Sequence, residues 1–265
     1  MQFHDYHMHT NFSCDCKATM ADMCRSAIAQ EIPEIGFTEH YDLHPLEVCR
    51  DWFQPEPWWA ELGRCRAEFA GRLIIRSGIE VGEPHLYQEE MQAIVTRYPF
   101  DYILGSLHWV GRHNMFDINY FKAHAPGSGF ASTFFVELEK MTRAGGFDIL
   151  SHFDVFIRTA HAVCGHYHAR DCDLIRPILR NCIEREIALD LNTSALQRAN
   201  VLTPNLDILR WYVELEEGNE LRWARMPTNI DIGSHLDVAV AMAKEAGLRY
   251  LTYFSARQAE LRPMP

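Results

Sequence analysis

Tyr102-Ile103-Leu104-Gly105-Ser106-Leu107-His108 sets an apolar run of strand length against a histidine placed just past its end. The same arrangement recurs along the chain. Leu73-Ile74-Ile75-Arg76-Ser77-Gly78-Ile79-Glu80-Val81 embeds a carboxylate in a largely apolar strand, and Ile149-Leu150-Ser151-His152 again puts a small residue before a terminal histidine. Phe3–His7, Ile35–Thr38, Ile187–Asn192 and Tyr250–Phe254 complete the seven strand candidates. Helical patterns fall between them, near Thr19–Glu31, Trp58–Gly71, Tyr87–Arg97, Ala131–Ala144, Cys172–Arg185, Pro204–Glu217 and His235–Ala246. Strands alternating with helices predict an α/β fold with a parallel, barrel-like sheet. Leu43–Pro57, which carries three prolines, reads as an irregular insertion near the mouth of that sheet.

Composition narrows the function classes. With 265 residues, 48% of them hydrophobic and 23% charged, the chain can bury a large core, and no low-complexity linker divides it. A single domain over residues 1–265 is expected. The formal net charge of −11 removes the broad attraction on which phosphate-backbone binding relies, so nucleic acid is not expected as a partner. No run reaches the roughly 18 apolar residues that cross a bilayer, and Met1–Asp5 lacks a basic stretch before an apolar one, so a cytoplasmic location away from membranes is expected. The eight cysteines show no Cys-x-x-Cys pair, which predicts reduced thiols.

The 14 histidines require a chemical reason. His7 and His9, Glu39 and His40, Glu80, His108 and His152 all fall at or just past the ends of predicted strands, the edge where barrel chemistry occurs. In His7-Met8-His9 both imidazoles lie on one side of an extended segment, so both can reach one cation. A carboxylate buried like Glu80 is costly unless paired or coordinated. Asp15, in the loop after His9, offers an oxygen ligand suited to a hard divalent metal, and Asp154 is placed to orient a histidine.

The chain resembles the PHP (polymerase and histidinol phosphatase) superfamily and, within it, the histidinol-phosphatase family. The resemblance runs nearly end to end. It rests on Asp5-Tyr6-His7-Met8-His9-Thr10, Gly36-Phe37-Thr38-Glu39-His40, Gly78-Ile79-Glu80-Val81-Gly82, Phe100 through His108, Ile149 through Asp154, Leu191 through Leu196, and Tyr250 through Phe254. It implies a distorted seven-stranded (β/α) TIM-like barrel, the PHP fold, holding two or three divalent ions of zinc, manganese or iron. His7 and His9 would hold one ion, Glu80 would bridge it to a second held by His108 and His152, and Asp15 with His40 would hold a third. The implied activity is hydrolysis of a small-molecule phosphate monoester, L-histidinol phosphate, in histidine biosynthesis. Glu80, His108 and His152 stand as catalytic candidates, with Arg158, Arg198 and Asn192 expected on the substrate and Trp109 and Tyr41 as walls. Another phosphate ester, nucleotide or phosphopeptide, is the alternative substrate class, and homo-oligomerisation stays open.

One departure bears on this. The family closes its metal site late in the chain with Gly-Ser-Asp-Ala-His, and that motif is absent here. After Glu217-Gly218 the chain reads Asn219-Glu220-Leu221-Arg222-Trp223-Ala224-Arg225-Met226-Pro227-Thr228, in which neither Arg nor Trp can ligate a cation. His235 and Asp237 are substitutes only from the start of the following helix. A coding string for Val-Thr-Leu-Gly-Ser-Asp-Ala-His, GTT ACG TTG GGC TCG GAT GCC CAC, gives Leu-Arg-Trp-Ala-Arg-Met-Pro-Thr when read one base later, which is Leu221 through Thr228. A compensated frameshift between roughly Gly218 and Asp231 is therefore expected. The chain as written would hold its metals less well or be a metal-binding relative with impaired catalysis.

Overall fold

The computed structural model describes residues 3–124, 129–164, 172–199, 202–215, 221–226 and 235–264. Its strands are β1 (His4–Met8), β2 (Glu34–Tyr41), β3 (Ile74–Gly82), β4 (Tyr102–Ser106), β5 (Trp109–Val110), β6 (His113–Asn114), β7 (Ile149–Leu150), β8 (Ala188–Asn192), β9 (Trp223–Met226), β10 (Tyr250–Ser255) and β11 (Gln258–Pro263). Its helices are α1 (Met20–Ala29), α2 (Pro55–Glu68), α3 (Gln88–Arg97), α4 (Ile118–Ala123), α5 (Phe130–Ala144), α6 (Ile157–Cys164), α7 (Cys172–Glu184), α8 (Ser194–Ala199), α9 (Leu206–Glu214) and α10 (Leu236–Ala246). Local chemistry explains several starts. The Thr19 side chain caps α1 by accepting from the Asp22 amide, Asn205 caps α9 through the Ile208 amide, and Pro55 opens α2, where its missing N–H costs nothing.

Seven strands form one parallel sheet in the order β1-β2-β3-β4-β7-β8-β9. Its two edges, β1 and β9, touch one another. Alternate residues face opposite ways. Ile35 and Phe37 of β2, Ile75, Ile79 and Val81 of β3 and Ile103 of β4 join the main core with the helices. The other face forms a small inner cluster of Tyr6, Tyr102, Leu104, Ile149, Ala188 and Phe254. Gly78 makes room for it, since a Cβ there would stand 2.6 Å from the Tyr102 ring.

Two expectations are corrected. The seventh strand is Trp223–Met226, in register from Leu189↔Trp223 to Asn192↔Met226, and not Tyr250–Phe254. Tyr250–Ser255 instead pairs antiparallel with Gln258–Pro263, and its Phe254 caps the inner cluster. An apolar run has the same local pattern in either role, so only the long-range partner distinguishes them. The cysteines are also not all reduced: Cys14 and Cys49 form a disulfide with Cα atoms 5.9 Å apart, tying the loop after β1 to the Leu43–Pro57 insertion. Among the described residues no helix is long and apolar enough to cross a membrane.

Candidate metal centre

The carboxylate of Glu80, near the end of β3, is the hub. It has no solvent exposure. Its Oε2 lies 3.2 Å from His7 Nε2, 3.5 Å from His9 Nε2 and 3.2 Å from His40 Nδ1. Its Oε1 lies 3.1 Å from His152 Nε2 and 3.4 Å from His108 Nε2, and accepts from Ser106 Oγ at 2.6 Å and Ser151 Oγ at 3.3 Å. His7 and His9 come from β1 and the residue after it, His40 from β2, where it is the register partner of Glu80. His108 and His152 come from the turns after β4 and β7. Residues up to 145 positions apart are thereby gathered at the carboxyl ends of parallel strands, because each strand arrives there from the same direction.

The ligand atoms fall into three neighbouring sets: His7, Glu80 and His152; His9, His40 and Glu80; and His40, Asp42 and His108. The donors fit divalent cations. Imidazole nitrogens crowd a buried carboxylate oxygen, Oε2, that accepts no hydrogen bond among the described residues, a costly arrangement unless a cation lies between them. Asp15 stands farther out, 44% exposed, with Oδ2 3.7 Å from His40 Nε2.

Carboxylates behind the rings orient them. Asp42 Oδ1 lies 2.9 Å from His108 Nδ1, turning Nε2 toward Glu80, and Asp190 Oδ2 lies 3.4 Å from His7 Nδ1 and accepts from the His152 amide at 3.0 Å. Glu83 Oε1 accepts from the His108 and Trp109 amides at 2.6 and 2.8 Å, fixing that turn. Gly82 is required beside Asp42, because a Cβ there would stand 2.4 Å from Asp42 Oδ1.

Charge follows from this layout. Burial favours neutral Glu80, but the His7 and His40 charges and hydrogen bonds from His108 and His152 hold its carboxyl well below the usual range. Burial opposes the charged form of His7, yet Glu80 and Asp190 override it and raise the ring to about 9. His108 is raised to about 10 against its burial, chiefly by Asp42. Burial lowers His152 to about 3, and burial with the His40 charge lowers His9 to about 3. Protonated and neutral imidazoles thus share one pocket with a single carboxylate at its centre.

Other sequence candidates land elsewhere. Glu39 faces away from Glu80 and clamps the β1–α1 loop, accepting from the Thr10 amide at 2.9 Å, Ser13 Oγ at 2.6 Å and Trp58 Nε1 at 3.2 Å. The buried carboxylate of Asp154 has no hydrogen-bond partner among the described residues, so the orienting role expected of it falls to Asp42 and Asp190. Arg158 is half-buried on α6 and donates from Nη2 to Asn192 Oδ1 at 2.9 Å. Arg198 lies on α8, its side chain outside the described ones. Trp109 stacks on His44 at 4.3 Å and donates to Glu47, while Tyr41 packs edge-on against Phe53. His235 and Asp237 are exposed at the start of α10. Of the suspected frameshift stretch, residues 218–220 and 227–231 lie outside the described residues. Sequence reasoning missed Asp42 and Asp190. For Asp190 a signal existed: it interrupts the apolar run Ile187-Ala188-Leu189 and Leu191 just as Glu80 interrupts its own.

A family model described as the PHP domain matches residues 5–194. The chain is 26% identical over 212 residues to the probable histidinol-phosphatase of Clostridium acetobutylicum, covering 80% of this chain and 81% of that protein. It is 27% identical over 199 residues to the histidinol-phosphatase of Lactococcus lactis, covering 71% of each. Among solved structures it is similar to the Lactococcus lactis histidinol phosphate phosphatase complexed with zinc, L-histidinol and phosphate, with a TM-score of 0.78, 21% identity and coverage of 98% of this chain and 99% of that one. That likeness extends the shared fold beyond residue 194.

Proposed function

The chain belongs to the PHP domain family, and from that premise we propose that it is a metal-dependent phosphate monoester hydrolase acting on L-histidinol phosphate in histidine biosynthesis. One observation carries the reading: His7, His9, His40, His108 and His152 converge on the buried Glu80 carboxylate. The substrate comes from what the similar proteins are named for. We read the sheet with touching edges as the distorted seven-stranded barrel of one domain, in the cytoplasm, taking a small phosphate ester and neither nucleic acid nor membrane.

His7, His9, Asp15, His40, Glu80, His108 and His152 would hold two or three divalent ions of zinc, manganese or iron. When bound, such ions supply water activation and charge neutralisation for phosphoryl transfer. The chain's own groups do the rest. Glu80 faces both ends of the centre with separate oxygens, and Asp42 and Asp190 hold His108 and His7 with Nε2 toward it. Arg158, anchored on Asn192, presents a guanidinium suited to two phosphoryl oxygens, and Arg198 has the same role from α8.

A second reading is supported by β9. In the alignment that the resemblance implies, Met226 stands where the family's Asp would be, at the end of the seventh strand, which makes the chain a metal binder of impaired catalysis in this reading. Phosphate release from L-histidinol phosphate by metal-replete protein, beside phosphotyrosine and an oligonucleotide, separates the readings. Release fastest from histidinol phosphate is expected. Bound metal without release favours the second reading, and faster release from the oligonucleotide overturns the substrate.

A further inference from the structure

Asp190 is fully buried on β8, and a single one of its oxygens serves three donors. Oδ2 lies 3.4 Å from His7 Nδ1, 3.0 Å from the His152 amide nitrogen and 3.1 Å from Asn192 Nδ2. Asn192 is two residues on, hence on the same face of the strand. Its own Oδ1 accepts from Arg158 Nη2 at 2.9 Å and from the Ser194 amide at 3.1 Å. We propose that Asp190 is a positioning residue that fixes how His7 and His152 are presented, and that Asn192 joins this pair to Arg158. The inference rests on the phosphatase reading for the role of Arg158.

A carboxylate only accepts, so Asp190 favours a proton on His7 Nδ1, where Ser151 Oγ also stands at 3.3 Å, and leaves Nε2, 3.2 Å from Glu80, as the nitrogen that gives up its proton to become a ligand. Asp190 stands on the Nδ1 side of the ring and Glu80 on the other, so Asp190 supports the ligand rather than acting as one. Asn192 has no freedom to flip, because its oxygen is engaged by three donors, the Arg158 guanidinium and the amide and hydroxyl of Ser194, and its nitrogen by the carboxylate. Arg158, Asn192, Asp190 and His7 therefore form one continuous chain from the rim to the centre. In this run of hydrogen bonds Asn192 holds Arg158, while Asp190 holds His7 and the His152 turn directly.

The full chain, D190N, D190E and N192A are compared for zinc affinity by chelator competition, for the visible spectrum of the cobalt-loaded protein, and for KM and kcat on L-histidinol phosphate. D190N is expected to weaken zinc by about 10–100-fold and alter the cobalt spectrum, with partial recovery in D190E. N192A is expected to raise KM by roughly 10-fold while zinc affinity stays within about 3-fold of the parent. Parental zinc affinity and cobalt spectrum in folded D190N overturn the proposal. Should D190N fail to fold, N192A decides, and an unchanged KM overturns the link. Failure of the phosphatase reading shows separately, as a parent chain that binds zinc and releases no phosphate. In that case zinc loss in D190N still supports the positioning of His7.

Discussion

Replacing Glu80 with glutamine removes the one anion at the middle of five imidazoles while keeping its shape. The amide oxygen can still accept from Ser106 and Ser151, which hold Oε1 at 2.6 and 3.3 Å, so the fold is expected to survive. The electrostatic change is large. At the 3.2 Å that separates Glu80 from His7 and from His40, two unit charges interact by about 5 kcal/mol at an effective dielectric of about 20. His7 then loses the larger of its two counter-charges and keeps only Asp190 against its burial, so its pKa falls from about 9. For zinc the loss of a ligand shared by two neighbouring sets is expected to cost at least about 100-fold in affinity, or about 2.7 kcal/mol. At saturating zinc the same amount disappears from zinc-induced stabilisation. For a chain of this size that is about 5–10 °C of the Tm gain on adding zinc, and phosphate release should fall by at least about 100-fold. Thermal melts with and without zinc, beside single-substrate turnover, read both. A variant with the parental Tm gain and turnover within about 3-fold of the parent would refute a Glu80-centred site.

Gly82→Ala should act at a distance of one residue from any ligand. The new Cβ, 2.4 Å from Asp42 Oδ1, pushes that carboxylate off His108, so zinc affinity should drop by roughly 10-fold with a stability loss of about 1–3 kcal/mol; unchanged affinity would remove Asp42 from the orienting role. Zinc affinity should rise with pH. His7 and His108 are raised to about 9 and 10, so near neutrality both carry protons in the zinc-free chain, and each must release one to donate a lone pair. Adding zinc at about pH 7 should therefore acidify a weakly buffered sample, and affinity should climb until about pH 9–10; a flat profile contradicts this proton count. Reading the coding DNA across Gly218–Asp231 should recover Gly-Ser-Asp-Ala-His in the neighbouring frame, and a string that cannot encode it dismisses the frameshift. Restoring the motif by gene repair should then tighten zinc binding, as seen by the same competition assay.

Much of the scaffold was legible because its signals are local. Apolar runs of strand length, a threonine or asparagine before a helix, and a proline at a first turn act through near neighbours, so β1 through β4, α1, α3 and α5 lie close to where the pattern puts them. The short β7 pair, the β5–β6 hairpin and the helices α4, α6 and α8 carry too few residues for any period to emerge. Trp223–Met226 does not read as a strand from sequence, because Arg225 interrupts an already short run, whereas pairing with β8 supplies what the run lacks. The Cys14–Cys49 pair could not be foreseen, since 35 positions separate two residues that only the insertion's path brings together.

The sequence by itself determined which groups could do chemistry here, namely His7, His9, His40, Glu80, His108 and His152 at strand ends, because side-chain type and alternation along a strand are properties of the chain alone. Tertiary structure alone decided which of them meet, with His7 beside His152 and His9 beside His40, and which carboxylates stand behind the rings. Those contacts join strands distant in sequence, and their geometry depends on how the parallel strands are staggered and curved in space, information that no local stretch of residues contains.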